Sequence, residues 1–244
     1  MRVALKIPKT IAARLLGTIT SVQTSESAIA LTFDDGPDSA TTPQVLEVLE
    51  SHGARGTFFV VGKRAECNPE LIKRIANAGH AIGNHSWSHI SLPTFSGKER
   101  RAEIRACAKA LGKYGQRILR PPYGHQSLAS RLDAFWLGHT VVAWNQHARD
   151  WKEISAENMI ELLNKELRPG NIILLHDTLK TGKPDQDRNR EQLLLAVDRF
   201  LSQHKETYKF LTVPELLKTG RPVRSNWYPK AGPRWLAGRK KAQQ

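Results

Sequence analysis

In Leu31-Thr32-Phe33-Asp34-Asp35-Gly36-Pro37 an apolar run ends in two adjacent carboxylates and a chain-reversing Gly-Pro. Successive strand side chains point to opposite faces, so Asp34 and Asp35 can serve one site only if the strand stops there. Gly36 and Pro37 are residues that stop one. Two carboxylates at a strand mouth can divide labour, one holding a cation and the other taking a proton; taken alone, the stretch could equally be a polar turn. His85 and His89 recur at i, i+4 in Asn84-His85-Ser86-Trp87-Ser88-His89. On one helical turn both imidazoles would face the same way and grip one cation, the alternative being two surface histidines. Adding Asp35 gives a two-nitrogen, one-oxygen donor set that suits Zn2+ and leaves a position open for water, the mark of a catalytic divalent metal.

A metal lowers the pKa of its water toward ~7, and Asp34 is the natural base for the remaining proton. Arg120, if it reaches Asp34, would hold that carboxylate ionised and aimed; otherwise it is a surface cation. Pro121 and Pro122 cannot donate, so Tyr123 carries the first N–H of a stiffened turn, a donor fixed for an oxyanion. The alternative there is a rigid structural loop with a packed tyrosine. His176 ends another apolar run and can return a proton to a leaving group, with Asp150 as the carboxylate that keeps its imidazole charged. Metal, base, oxyanion donor and acid together describe metal-assisted hydrolysis of an acyl or amide bond.

These residues need elements that bring them together. Apolar runs at Ala28 to Phe33, Gly56 to Val61, His80 to Gly83, Ile118-Leu119, Thr140 to Trp144, Asn171 to Leu175 and Lys209 to Val213 read as seven strands. Between them lie helices, from Thr42-Pro43 to Gly53, from Asn68-Pro69 to Gly79, from the Ser96/Glu99 capping box through Tyr114, and over 128–137, 155–167 and 190–203. Strand–helix alternation without a composition break predicts one α/β domain with parallel strands. Every proposed functional residue follows the carboxyl end of a strand, the face where barrel-like α/β enzymes gather their chemistry.

At 244 residues the chain is long enough for a sizeable core, and 40% hydrophobic with 25% charged residues is the composition of a globular protein. Eleven of its fourteen net positive charges lie in residues 1–24 and 221–244, which contain no acid, so the middle is close to neutral. That distribution argues against nucleic acid as a partner; such ends read as solvated tails or, with Trp227, Tyr228 and Trp235 among the charges, as contacts to an anionic surface, either a polyanionic glycan or a membrane leaflet met peripherally. Three regions are expected: a basic leader over 1–27, a catalytic domain over 28–220, and a basic, aromatic-containing tail over 221–244. Thr10 to Val22 follows Lys6 and Lys9 like a signal peptide, but Arg14 interrupts it and Gln23-Thr24-Ser25 is no small-x-small cleavage site. The expected location is therefore cytoplasmic, at the inner membrane face if the basic ends engage it. Cys67 and Cys107 form no CxxC pair and read as free thiols, a single disulfide being the alternative.

The ordered set Thr32-Phe33-Asp34-Asp35-Gly36-Pro37, His85-Ser86-Trp87-Ser88-His89, Arg120-Pro121-Pro122-Tyr123-Gly124, Asp150-Trp151 and Leu174-Leu175-His176-Asp177 resembles the five signatures of the polysaccharide deacetylase family, the NodB-homology domain of carbohydrate esterase family 4. The resemblance spans about residues 28 to 215. It implies a distorted (β/α)7-type barrel and removal of acetyl from an N-acetylglucosamine-type oligo- or polysaccharide. Position by position it implies Asp34 as base, Asp35, His85 and His89 as metal ligands, Arg120 as tether of the base and Tyr123 as oxyanion donor. It further implies His176 as acid supported by Asp150, and Trp151 and Leu174 as apolar walls of the acetyl pocket. His147 stands where the family's fourth motif often has an aspartate; activity is expected to survive, with the glycan accepted in question. His125 and His139 match nothing and read as structural. The motifs specify chemistry better than ligand, so the same hydrolysis of a non-sugar amide or ester, or a non-catalytic glycan-binding module, are the alternatives.

Overall fold

A computed structural model describes residues 16–179 and 189–225. Residues 1–15 of the leader, residues 180–188 between His176 and the helix expected over 190–203, and residues 226–244 of the tail lie outside the described residues. In chain order the elements are β1 (Thr18–Gln23), β2 (Ala28–Asp34), α1 (Thr42–Ser51), β3 (Gly56–Val60), α2 (Gly62–Cys67), α3 (Pro69–Asn77), β4 (Ala81–Asn84), α4 (Gly97–Leu111) and β5 (Gly115–Leu119). There follow α5 (Leu128–Trp136), β6 (Thr140–Val141), β7 (Gln146–His147), α6 (Ala156–Lys165), β8 (Ile172–His176), α7 (Glu191–His204), β9 (Lys209–Phe210), α8 (Val213–Leu216) and β10 (Arg221–Ser225).

The main sheet runs β6-β5-β4-β3-β2-β8-β7, with β9 added on β2. All its pairings are parallel, as the strand–helix alternation predicts, and the sheet curls into a half-barrel, in line with the barrel that the family resemblance implies. Ile29, Leu31 and Phe33 of β2 pack outward with Phe58 of β3 beneath the helices, in one core with Val45, Leu46 and Leu49 of α1. The intervening Ala28 and Ala30 face inward with Phe59, Ile118, Val142 and Ile172. That two-residue alternation carries Thr32 and Asp34 to the inner face.

The seven expected strands are present, several of them shorter than the apolar run; Thr140 to Trp144 supplies only Thr140–Val141 of regular ladder. Three strands were not foreseen: β7, β1 and β10. The last two revise the expected regions, because Thr18–Gln23 of the leader pairs antiparallel with Arg221–Ser225 of the tail. Ile19 and Val22 are buried in the inner core, and Ile19 and Ser21 also bridge to Val142 and Asn171. A β-branched Thr-Ile-Thr-Ser-Val alternation is a strand pattern, and the basic residues before it, which make the stretch read as part of a leader, hid it. Thr42 was expected to cap α1; the N-cap is Thr41 without a side-chain bond, and the Thr42 hydroxyl donates instead to Asp177 Oδ2. The Ser96/Glu99 capping box forms as read. Cys67 and Cys107 are free thiols, and burial pushes Cys107 up to about 12, which leaves it inert as a nucleophile.

Candidate active site

β2 ends at Asp34, and Asp35 adopts φ 78, a left-handed turn that brings its carboxylate round to the inner face instead of the outward side that strand geometry would give it. Gly36 fixes the turn: its N–H donates to Asp177 Oδ1 at 3.1 Å, and a Cβ there would lie 2.0 Å from Asp177 Oδ2. Asp177, given no role by the sequence reading, is thus the strut beneath the Asp-Asp turn. Burial pushes its carboxyl up to about 6, against the bond from Thr42.

His85 and His89 do converge, but not on a helical turn. They sit in the irregular loop after β4, with Ser86 at φ 63 and His89 at φ 57. Local hydrogen bonds hold the loop: Ser86 N–H donates to Asn84 Oδ1 at 2.9 Å and His89 N–H to Ser86 Oγ at 3.2 Å. From α4, Glu103 Oε2 accepts from the N–H groups of Trp87 and Ser88 and from the Ser88 hydroxyl. Glu103 lies on a helix read only for its caps and was missed.

One nitrogen of each histidine and one Asp35 oxygen lie within 4.8 Å of one another, all three residues buried. The donor atoms fit a cation. His85 Nδ1 lies 2.7 Å from the Arg120 carbonyl oxygen, a contact in which the nitrogen must donate, so the neutral ring presents the lone pair of Nε2. That lone pair faces Asp35 Oδ1 at 3.4 Å. Asp35 Oδ1 is 2.9 Å from His89 Nε2 yet buried without a hydrogen bond. The His85 lone pair and the Asp35 oxygen, turned toward one point beside His89 Nε2, form a donor set that suits a cation. Burial works to raise the Asp35 carboxyl, and the imidazoles of His89 and His85 outweigh it, holding it well below the usual carboxylate range.

Asp34 is 3% exposed and receives a 2.7 Å bond from Arg120 Nη1. Arg120, fully buried, also donates to Thr32 Oγ1 at 2.7 Å and to the Ala143 carbonyl at 2.8 Å, with its guanidinium 4.0 Å from the Phe59 ring centroid. Burial lowers the Arg120 pKa and the Asp34 carboxylate opposes that. The surface-cation alternative is excluded. Tyr123 follows the two prolines at φ 59, its ring 4.7 Å from that of His89 and 5.5 Å from His125, so His125 flanks the mouth. His139, by contrast, makes its contact with the Leu137 carbonyl beyond the helix end.

His176 pairs in register with Asp34 across β8 and β2. Its N–H and Nδ1 both meet Asp150, at 2.9 and 3.2 Å. Burial alone would push the imidazole down, but Asp150 outweighs it and brings His176 up to about 9. Asp150 in turn is held by Arg190, whose Nη2 donates to its Oδ2 and whose Nη1 donates to its carbonyl. Arg190 also donates to the His176 carbonyl. It was read only as a helix start, and nothing in its neighbourhood in sequence marks it. Trp151, 5.6 Å from His176 between ring centroids, and Leu174 line the same cleft of about 350 Å³ as Asp34, Asp35, His85, His89, Tyr123 and His176. Trp144 and Leu179 complete its apolar wall, neither foreseen in that role. His147 lies beside the cleft, pairing in register with Leu174 and with its ring 5.1 Å from that of Trp151; burial, then Arg149, lower its pKa.

One strand mouth of a half-barrel thus gathers a buried carboxylate–histidine donor set, a carboxylate tethered by an arginine and a histidine paired with a second carboxylate. The sequence profile of the polysaccharide deacetylases matches residues 21–142. A peptidoglycan-N-acetylglucosamine deacetylase of Bacillus cereus is 36% identical over 202 residues, covering 81% of this chain and 91% of its own length. A chitooligosaccharide deacetylase of Azorhizobium caulinodans is 37% identical over 67% of this chain and 80% of its own. The crystal structure of the Bc1960 peptidoglycan N-acetylglucosamine deacetylase, with 32% identity, superposes with a TM-score of 0.75 over 84% of this chain and 94% of that one. The chain belongs to the polysaccharide deacetylase family, carbohydrate esterase family 4, and is a hydrolase of that class.

Proposed function

We propose that the protein removes N-acetyl groups from an N-acetylglucosamine-containing glycan by hydrolysis assisted by a divalent metal, zinc by its donor set. The observation that carries this reading is the pairing, on neighbouring strands, of a carboxylate tethered by Arg120 with a histidine charged by Asp150, both beside the Asp35/His85/His89 cluster. The relatives that act on peptidoglycan and chitooligosaccharides support the sugar.

Asp35, His85 and His89 would hold the metal, which when bound supplies a Lewis acid and a water acidic enough to be deprotonated near neutral pH. Asp34 takes that proton; Arg120 keeps its carboxylate aimed through the 2.7 Å bond. The Tyr123 N–H, fixed behind Pro121 and Pro122, serves the oxygen that gains charge as the acetyl carbonyl is attacked. His176, protonated because Asp150 faces its Nδ1, delivers a proton to the departing amine. Trp144, Trp151 and Leu174 give the acetyl methyl an apolar wall and thin the water around the charges, which strengthens every electrostatic contact in the cleft.

The test is acetate release from N-acetylated chitooligosaccharides, with aryl acetates as competing substrates. Asp34→Asn should abolish release while zinc binding, measured by equilibrium dialysis, persists. Unchanged turnover in that variant would refute the base, and preference for the aryl esters would refute the sugar.

A further inference from the structure

Among the described residues, one face of α5 is left without a partner. Leu128, Leu132, Phe135 and Trp136 are 54, 37, 46 and 77% exposed. At about 100° per residue they fall on one arc of the helix, while Ser130, Arg131, Asp133 and Ala134 are buried on the other. Phe135 and Trp136 meet edge to face, with ring centroids 6.3 Å apart, so the arc presents a contiguous apolar ridge. Large exposed apolar patches mark interaction surfaces.

Arg131, at the border of that arc, shows what surrounds the ridge. Its Nη1 donates to the Leu16 carbonyl at 2.8 Å and its Nη2 to the Ser225 carbonyl at 3.4 Å. Thr18 is anchored beside it through Gln126, which accepts from both Thr18 Oγ1 and Arg131 Nε. The β1–β10 pairing brings the two ends together at α5. Leu16 and Ser225 therefore both lie beside the apolar ridge, and the sequence beyond them, residues 1–15 and 226–244, carries nine Lys and Arg and no Asp or Glu. Asp133, the acid of the helix, faces away and is neutralised by Arg100 and Arg101 at 2.7 Å each.

We propose that the α5 face is a membrane-docking surface that seats Phe135, Trp136, Leu132 and Leu128 in the interfacial region of an anionic bilayer, with the basic arms on either side neutralising its headgroups. Apolar and aromatic side chains supply the insertion and cations the attraction, each weak alone. A segment of this chain folded over the ridge would need no acid-free run of cations, and a soluble polyanion would need no tryptophan ridge. The catalytic loop Pro121 to Gly124 precedes α5 by only a few residues, so docking would hold the cleft beside the membrane.

The test is co-sedimentation of the full chain with vesicles of phosphatidylglycerol and phosphatidylcholine, against vesicles of phosphatidylcholine alone. Binding is expected to the anionic vesicles and to fall at least tenfold in Phe135→Ser/Trp136→Ser, while acetate release from a soluble chitooligosaccharide and the Tm stay unchanged. If that pair lowers the Tm, Leu128→Ser/Leu132→Ser carries the comparison. Brominated lipid should quench the wild type more than Trp136→Phe. Equal binding of the double variant, binding that heparin removes from wild type and variant alike, or a Trp136 that neither lipid nor iodide quenches because an arm covers it, would each overturn the proposal.

Discussion

Asp150→Asn keeps the shape of the side chain that orients His176 and removes its charge. In the wild type burial lowers the His176 pKa and Asp150 raises it beyond that, to about 9 against an ordinary 6.5. In the variant the burial stays, the Arg190 cation loses its carboxylate, and the imidazole falls to its ordinary value or below. At about pH 8, roughly 90% of wild-type His176 carries its proton and about 3% does in the variant, a ratio of about 30; at about pH 6 the ratio is under 2. The alkaline limb of kcat/KM for acetate release from a chitooligosaccharide should therefore move acidward by about 2 pH units or more, with near-normal turnover at its acid end. A pH-independent loss would mean that Asp150 acts by packing alone. An unmoved limb would mean that His176 is not the acid.

The same shift acts on stability, and its sign is fixed. A histidine whose folded pKa lies above its unfolded value stabilises fully below about 6.5, and the contribution disappears as pH rises through about 9. Its ceiling is about 3 kcal/mol. Urea unfolding of the wild type should show a loss between neutral and strongly alkaline pH that Asp150→Asn does not.

Arg120→Met would strand the buried Asp34 carboxylate and break the bonds to Thr32 and Ala143; a loss of about 3–5 kcal/mol in urea melts is expected, together with loss of deacetylation. Chelation should lower the Tm of the wild type and zinc should restore it, while Asp35→Asn should respond to neither; a metal at a thousandfold its Kd contributes about 4 kcal/mol. Gly36→Ala would drive a methyl into Asp177, for an expected loss of about 1–3 kcal/mol by thermal melt and a lower kcat as the Asp34–Asp35 turn shifts. Arg190→Met should lower kcat with KM little changed, and its alkaline limb should move up instead of down, because a cation beside His176 has gone.

The residues that line the cleft with charge were legible because each lies within a few positions of a strand end, where apolar periodicity breaks off. Asp34, Arg120 and His176 could be placed on one face from that alone. The supports were not. Arg190, Asp177 and Glu103 act on residues 40, 141 and 15 or 16 positions away, and no local pattern distinguishes a buried arginine at a helix start from an exposed one. The β1–β10 pair failed for a related reason: its partners lie near opposite ends of the chain, and only the fold brings them together. His85 and His89 were placed in one site on a helical spacing that the chain does not use. The convergence held because two left-handed residues, Ser86 and His89, achieve it in a loop.

Those two belong to a pattern that joins fold to function. Among the described residues the non-glycine positions with positive φ are Asp35, Ser86, His89, Tyr123 and Arg149, in the loops after β2, β4, β5 and β7. Left-handed backbone costs about 1–3 kcal/mol for a residue with a side chain. Glycine would relieve it, but at Asp35 and His89 it would delete a member of the carboxylate–histidine cluster, and at Tyr123 a wall of the cleft. The cost is offset beneath the loops, where β2 and β3 are buried at every position, and beside them, where Asp177, Glu103 and Arg190 bind the loop backbone directly. A rigid parallel sheet with strained, side-chain-bearing loops at its carboxyl edge is how this chain turns residues that strand geometry would point apart into one cleft.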